Sequence, residues 1–250
     1  MSDSAYARSA DFYDLVYGGK PYADEAAHVH VRIQAHLRSG GNALLDVGCG
    51  TGGHVAHFLD HYRIEGLDLD EGLLRIAAER YPDATFHRGD MTDFDLGRAF
   101  DAVVCLFSAI GYVRTEDALR RTVAGFARHL RPGGVVVVEP WLTPDVFRPG
   151  TLRLDASESA ELKVARIVRS DYDGDLSVLV FSFLVGRPEG VEHWEERHLL
   201  GLFADGQMRD AFAAAGLEVV EHDPHGLTGR GLYVARRPEF GAPAPAAGGG

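Results

Sequence analysis

The segment LLDVGCGTGGH, residues 44–54, constrains this chain more than any other. A short apolar run, ALLDV (43–47), leads into a turn in which positions 48, 50, 52 and 53 are all glycine. Glycine accepts backbone conformations closed to other residues and lets the main chain approach a ligand. An apolar strand, a glycine turn and then helix-forming residues open a βαβ unit, whose helix N-terminus offers unpaired N–H groups beside the strand end. Chains built this way form open parallel sheets with a ligand crevice at the C-terminal ends of the strands.

The flanking sequence keeps the same rhythm. Residues 23–37 read as a helix before the turn and 54–60 as a helix after it. RIEGLDLD (63–70) is a second strand, 73–80 a helix that stops before Pro82, and ATFHRGD (84–90) a third strand. FDAVVCLF (100–107) is a fourth strand and 117–130 a helix. In RPGGVVVVEP (131–140) a turn precedes four consecutive valines, as in a parallel strand covered on both faces. This alternation predicts an α/β chain with a doubly wound, mostly parallel sheet. From about 152 to 203 the pattern changes to alternating apolar and polar residues, with turn signals at Asp173-Gly174 and at 188–190. That is an inserted antiparallel β meander. A helix closed by glycine (205–216) and two strands (217–223 and 231–237) follow.

The expected organisation is therefore an N-terminal arm and helix (1–40) capping the active site and a ligand-binding core (41–150). A meander (151–204) forms a substrate cap, 205–238 complete the core sheet, and 239–250 are a disordered tail. The last ten residues, GAPAPAAGGG, are only glycine, alanine and proline, a composition that cannot bury a core. The sequence shows no repeat at solenoid periods.

Composition narrows the partners. Lys+Arg number 25 and Asp+Glu 37, for a net charge of −12. A basic excess is what neutralises phosphates, so no nucleic acid is expected as partner. A small anionic ligand held by local arginines is compatible with that charge. The two cysteines, Cys49 and Cys105, read as buried thiols in a reducing compartment, and a cytoplasmic location is expected. MSDSAYARSADFYD at the N-terminus has neither the basic nor the apolar region of a signal peptide, and no apolar run is long enough for a membrane span. The free edge of the meander offers a surface for a homodimer.

The glycine turn alone is ambiguous about its ligand. Gly48, Gly50 and Gly53 fit the dinucleotide pattern G-x-G-x-x-G, with Asp68 twenty residues after Gly48 to accept bonds from a ribose. Three details favour S-adenosylmethionine (SAM). Asp46 precedes the turn, and a carboxylate there repels a pyrophosphate but suits a ligand carrying an amine and a sulfonium. Gly89-Asp90-Met91 follows the third strand, where Asp90 can accept from an adenine amine and the Met91 N–H can donate to a ring nitrogen. FDAVVC followed by LRPGGVVVVE matches the fourth strand, turn and fifth strand of methyltransferases. Among the histidines, 54, 57 and 61 lie at helical spacing without an accompanying H-E-x-x-H or Cys/His cluster, so no metal site is expected. Glu139 ends the fifth strand, where ligands bind in such sheets, without an assignable role.

At these residues the chain resembles class I SAM-dependent methyltransferases, with their Rossmann-like sheet. YDLVYGGKPYADEA (13–26), GDMTDFDLGRAFDAVVCLFSAIGYV (89–113), GGVVVVEPW (133–141) and TGRGLYVA (228–235) further resemble the dTDP-aminosugar N,N-dimethyltransferases of the desosamine and mycaminose type, which serve macrolide antibiotic synthesis. The resemblance implies an N-methyltransferase that methylates the amino group of a nucleotide-linked deoxysugar once and then again. Tyr13 and Tyr22 would reach the methionyl carboxylate of SAM, Gly48 and the Leu106 carbonyl its amine. Asp46, Gly50 and Asp68, with Asp90 and Met91, complete the cofactor set. Tyr6 and Tyr112, the catalytic candidates, would line the amino group of the sugar. Trp141 would wall the substrate, and Arg230 would face the diphosphate. The chain departs from the family at Trp141-Leu142 (a paired tryptophan elsewhere), Lys20-Pro21-Tyr22, Thr228 (a serine elsewhere) and Gly48 (alanine in some members). A small-molecule O- or C-methyltransferase, or a protein that binds SAM without catalysis, remain the alternatives.

Overall fold

The structure, a computed structural model, describes residues 8–239. Two helices open it: the short α1 (Tyr13–Tyr17) and α2 (Tyr22–His36), which buries Ala26, Val29 and Ile33 along one stripe. Then come β1 (Ala43–Val47), α3 (Val55–Phe58), β2 (Arg63–Asp68), α4 (Glu71–Arg80), β3 (Thr85–Arg88), β4 (Phe100–Cys105), α5 (Glu116–Arg128) and β5 (Leu130–Val138). The helix expected over 54–60 is a single turn. The chain leaves it after Phe58 so that Tyr62 can be buried, its hydroxyl held by His30 and Gln34. Helix starts follow capping chemistry: the Asp70 carboxylate accepts from Leu73 N–H at the head of α4, and Thr115 Oγ from Ala118 N–H at the head of α5.

An antiparallel run follows: β6 (Leu152–Glu158), β7 (Lys163–Asp173), β8 (Leu176–Arg187) and β9 (Gly190–Gly201). The β7–β8 and β8–β9 connections each have two residues between paired positions, Asp173↔Leu176 and Arg187↔Gly190. The chain returns through α6 (Asp205–Ala214), β10 (Glu218–Asp223) and β11 (Leu232–Arg236).

The strands form two separate sheets. The larger has seven strands in the order β10-β11-β5-β4-β1-β2-β3, with β1 to β5 parallel and β11 antiparallel to both its neighbours. Val135 to Val138 of β5 are completely buried because apolar side chains cover both faces of the sheet. Phe126, Leu119 and Phe212 pack on one face, and Ile33, Val29 and Phe58 on the other. Each such side chain removed from water contributes roughly 1.5–3 kcal/mol. The second sheet has the order β6-β7-β8-β9. Its inner face packs Phe181, Phe183 and Trp194 against Phe12 of the N-terminal segment.

Strand order in the large sheet reverses between β1 and β4, the switch point at which open α/β sheets bind ligands. The loops after β1 and β4 meet there. β9 of the second sheet packs beside them, with Leu200 against Gly111. Both cysteines are buried and free. Among the described residues, no helix is long and apolar enough to cross a membrane.

Candidate active site

The glycine turn is held by short main-chain bonds. Gly48 N–H donates to the Leu67 carbonyl at 2.7 Å, with φ of +76° at Gly48. A Cβ on Gly48 would lie 2.6 Å from Ala109 Cβ, so this position takes glycine for both conformation and space. A Cβ on Gly53 would lie 2.5 Å from the Tyr22 ring, which wedges against the turn.

Two carboxylates lie at this turn. Asp68, at the end of β2, accepts from Gly50 N–H at 2.8 Å through one oxygen and from Asp70 N–H at 2.9 Å through the other. Burial pushes its acid up and those N–H groups pull it down. Each oxygen retains a lone pair for a further donor. Asp46, in β1, is buried, and its Oδ2 has no hydrogen-bond partner among the described residues. Burial, then the charge of Asp68, raises its pKa to about 7. A buried acid with an unpartnered oxygen beside a glycine turn suits a cationic group such as the amine of SAM, so the donor set fits that cofactor.

A cleft of about 490 Å³ runs from the turn along the switch point. That lies within the ~300–1,000 Å³ usual for small-molecule sites. Gly48, Gly50, Asp68, Asp90 and Met91 line it, together with Tyr13, Leu106, Phe107 and Tyr112. Asp90 Oδ1 accepts from both N–H and hydroxyl of Thr92. Arg114 and Arg121, which sequence reasoning missed, also line the cleft. An adjoining recess brings Tyr22 and Asp46 together with Tyr13, Gly48, Gly50 and Leu106. Below it Lys20 bonds to Glu25, lies 3.3 Å from His54 Nε2, and sits over the rings of Tyr22 and Phe107 at 4.4 and 4.6 Å. Glu25 also bonds His54 at 2.8 Å. His54 is therefore part of a buried ion cluster, while His61 stacks on His30. Among the described residues, no three His, Cys, Asp or Glu side chains converge as a metal site.

The loop after β4 reveals the role of Glu139. Phe107 and Ser108 are both left-handed, with φ of 52° and 60°, a conformation that costs roughly 1–3 kcal/mol per residue. Glu139, fully buried, accepts from Phe107 N–H at 2.7 Å and from the Thr228 hydroxyl. Ser108 Oγ donates to the Pro140 carbonyl at 2.7 Å, and Arg230 Nη1 donates to Ser108 Oγ at 3.1 Å. One carboxylate thus ties the strained loop to the turn that carries Arg230. A hydroxyl at 228 is what this bond requires, and Thr228 supplies it as serine would. Glu139 was legible only as an acid after four valines; its partner Thr228 is 89 residues away.

Trp141 and Arg230 lie beyond Phe107 and do not line the cleft or the recess. The Arg230 guanidinium stands 4.7 Å from the Trp141 ring and 5.8 Å from that of Phe107, and Trp141 Nε1 donates to Ser177 Oγ at 2.8 Å. Tyr112 is hydrogen-bonded to His198 of β9 at 2.7 Å, a contact missed from the sequence. The inward phase of β9, shared by Trp194, His198 and Leu200, was the available signal. Tyr6 lies outside the described residues.

The family model for a methyltransferase domain matches residues 44–134. The chain is 44% identical over 229 residues to dTDP-3-amino-3,4,6-trideoxy-alpha-D-glucopyranose N,N-dimethyltransferase of Streptomyces venezuelae, covering 90% of this chain and 96% of that protein. It is 37% identical over 231 residues to dTDP-4-amino-2,3,4,6-tetradeoxy-D-glucose N,N-dimethyltransferase of Saccharopolyspora spinosa, covering 91% and 92%. Among solved structures it is similar to the SAM-bound amino pentose methyltransferase of Micromonospora echinaspora involved in calicheamicin biosynthesis, with a TM-score of 0.80, 42% identity, and coverage of 88% and 93%. With the seven-stranded sheet, the glycine turn and near end-to-end similarity to such enzymes, the chain belongs to the dTDP-aminosugar N,N-dimethyltransferase family of SAM-dependent methyltransferases.

Proposed function

We propose that this protein transfers methyl groups from SAM to the amino group of a dTDP-linked amino deoxysugar, once and then again, in natural-product biosynthesis. One observation carries the reading: three carboxylates, Asp46, Asp68 and Asp90, lie at β1, the end of β2 and just after β3, Asp46 in the recess and the other two in the adjoining cleft that Tyr112 also lines. They match the three donor groups of SAM in order, its amine, its ribose diol and its adenine amine.

When bound, SAM supplies an electrophilic methyl group on a sulfonium. Asp46, Gly48 and the Leu106 carbonyl accept from the amine, and Tyr13 and Tyr22 face the carboxylate. Asp68 takes the ribose hydroxyls, its geometry set by Gly50. Asp90 and Met91 N–H hold the adenine. Tyr112, with Tyr6, orients the amino group of the sugar, and Arg230 with Trp141 receives the nucleotide diphosphate. The work of the chain is to hold a neutral amine in line with the methyl group, and positioning of that kind is worth up to roughly 7–11 kcal/mol.

Residues 41–150 and 205–238 act as the cofactor core, with 1–40 and 151–204 as caps over the substrate. A cytoplasmic location accords with the buried thiols of Cys49 and Cys105. A homodimer would form at edge strand β6 and the face beside it, where Leu152, Leu154, Ile167 and Leu184 are exposed.

The test is incubation of the protein with SAM and dTDP-linked 3-amino and 4-amino deoxysugars, followed by mass spectrometry. Successive gains of one and two methyl groups are expected. Gain on a hydroxyl or carbon instead, or no gain while SAM still binds, overturns the reading.

A further inference from the structure

Methylation of an amine releases one proton for each methyl transferred, because a sugar ammonium must become a neutral amine before it can attack. The residues behind Tyr112 contain a route for that proton. The Tyr112 hydroxyl is 2.7 Å from His198 Nδ1. His198 is fully buried, with Phe181 4.3 Å from its ring. Its Nε2 stands 3.7 Å from Glu196 Oε2, which accepts from Ser9 Oγ at 2.8 Å. Glu196 Oε1 has no hydrogen-bond partner among the described residues.

A neutral imidazole carries one N–H and one lone pair, and its surroundings choose which nitrogen has which. A buried carboxylate beside Nε2 favours the proton there. Nδ1 is then an acceptor, and the Tyr112 O–H must donate to it. The tyrosine oxygen consequently meets the cleft as an acceptor.

We propose that His198, backed by Glu196, is a positioning residue that makes Tyr112 the proton acceptor for the substrate ammonium. The inference rests on the amino-sugar reading above. An N–H bond of the ammonium breaks as an O–H bond forms on Tyr112. The original O–H bond of Tyr112 breaks as an N–H bond forms on His198 Nδ1. Tyrosine is unchanged, the nitrogen of the sugar is left with its lone pair, and the positive charge rests on an imidazolium facing the Glu196 carboxylate. Water takes the proton when product leaves, which resets the pair for the second methylation. Among the described residues, the other charged or titratable groups that line the cleft with Tyr112 are Tyr13, Asp68, Asp70, Asp90, Arg114 and Arg121, and Arg166 with its partner Asp155 lies behind Phe181.

The test compares His198→Gln, Glu196→Gln and Tyr112→Phe with the unaltered enzyme. At about pH 7, His198→Gln and Tyr112→Phe should each lower kcat about tenfold, below the ~10²–10⁴ typical of acid–base catalysis because some free amine is already present in solution. The deficit should shrink as pH rises and the amine arrives neutral, with KM for SAM unchanged. The double variant should be no slower than either single one, as for two members of one relay. Thermal unfolding and SAM affinity, measured alongside, identify a variant that has merely lost its fold; Glu196→Gln, with a smaller deficit of the same pH shape, then serves in its place. A second measurement needs no turnover: nitrogen NMR of histidine-labelled protein should show His198 with its proton on Nε2, and its Nδ1 signal should move in Tyr112→Phe. A proton on Nδ1, or deficits independent of pH, overturns the proposal. Failure of the unaltered enzyme to methylate any amino sugar overturns the substrate reading and the proton-acceptor role with it, while the NMR result still judges the hydrogen bond.

Discussion

The two sheets fix their polar groups in different ways. In the parallel sheet, carboxylates at strand ends each accept from a backbone N–H, Asp68 from Gly50 and Asp70, Glu139 from Phe107, and Asp101 from Ala43, with side-chain donors added at Glu139 (Thr228) and Asp101 (Ser39 and Arg131). In the antiparallel sheet, buried polar side chains rely on other side chains: His198 on Tyr112, Arg166 on Asp155 and Tyr17, and Ser177 on Trp141 beside a bond to the Leu200 carbonyl. A backbone donor is placed by the fold whatever the neighbouring sequence. A side-chain partner can be exchanged by substitution. The first arrangement suits a cofactor that never changes, and the second suits the proposed role of a cap over a substrate, which the relatives' names give as a 3-amino sugar in one and a 4-amino sugar in another.

Substitutions on the parallel side should therefore cost most. Asp68→Ala would remove the two charge-assisted contacts proposed to a ribose, each worth about 1.5–3 kcal/mol. SAM affinity measured by calorimetry should fall at least ~100-fold. Unchanged affinity would remove Asp68 from the cofactor site. Glu139→Ala is next. It leaves Phe107 N–H without its acceptor and releases the strained pair Phe107-Ser108, so thermal unfolding should show a loss of roughly 2 kcal/mol. An unchanged Tm would mean that the loop is held by Ser108 and Arg230 alone.

Legibility followed the same division. The parallel core could be read because burial on both faces leaves uninterrupted apolar runs such as VVVV, and because the glycine turn must carry positive φ at Gly48. Asp46, Asp68 and Asp90 follow from position, since each sits at or just beyond a strand of known order. The meander could be read from its period of two and its turns. Its chemistry could not, because Tyr112 and His198 are 86 residues apart and nothing local marks them as partners. The cluster of Lys20, Glu25 and His54 is illegible for the same reason, since His54 is 29 residues from Glu25 and 34 from Lys20. The helix over 54–60 was too long because the burial of Tyr62, a tertiary demand, ends it early.

Asp46 departs from its own sheet, with an oxygen that has no donor among the described residues, and pH exposes that difference. Its pKa in the fold is about 7, against ~3.9 in an unfolded chain. Between these values the folded protein retains a proton that the unfolded chain has released. The contribution of Asp46 to stability is therefore fully present at low pH and is lost as pH rises from about 4 to about 7. Binding of a cation has the opposite slope, because it requires the ionised acid. SAM affinity should weaken about tenfold for each pH unit below about 7 and level off above it. Asp46→Asn should bind weakly at every pH, with that slope removed. A slope retained in Asp46→Asn would assign it to another group.

Trp141→Phe tests the antiparallel side, where the smallest effect is expected. The ring that carries the Arg230 guanidinium is largely kept, while the bond from Nε1 to Ser177 Oγ is lost. A neutral hydrogen bond of this kind is worth about 1 kcal/mol, and Ser177 keeps a second partner in the Leu200 carbonyl at 3.0 Å. KM for the nucleotide sugar should rise about fivefold, because Arg230 loses part of its support at the proposed diphosphate site. Affinity for SAM should not change, since Trp141 lines neither the cleft nor the recess. A loss of SAM binding equal to the loss of sugar binding would show that the two sheets move as one unit. The contrast between a fixed cofactor wall and an exchangeable substrate wall would then fail.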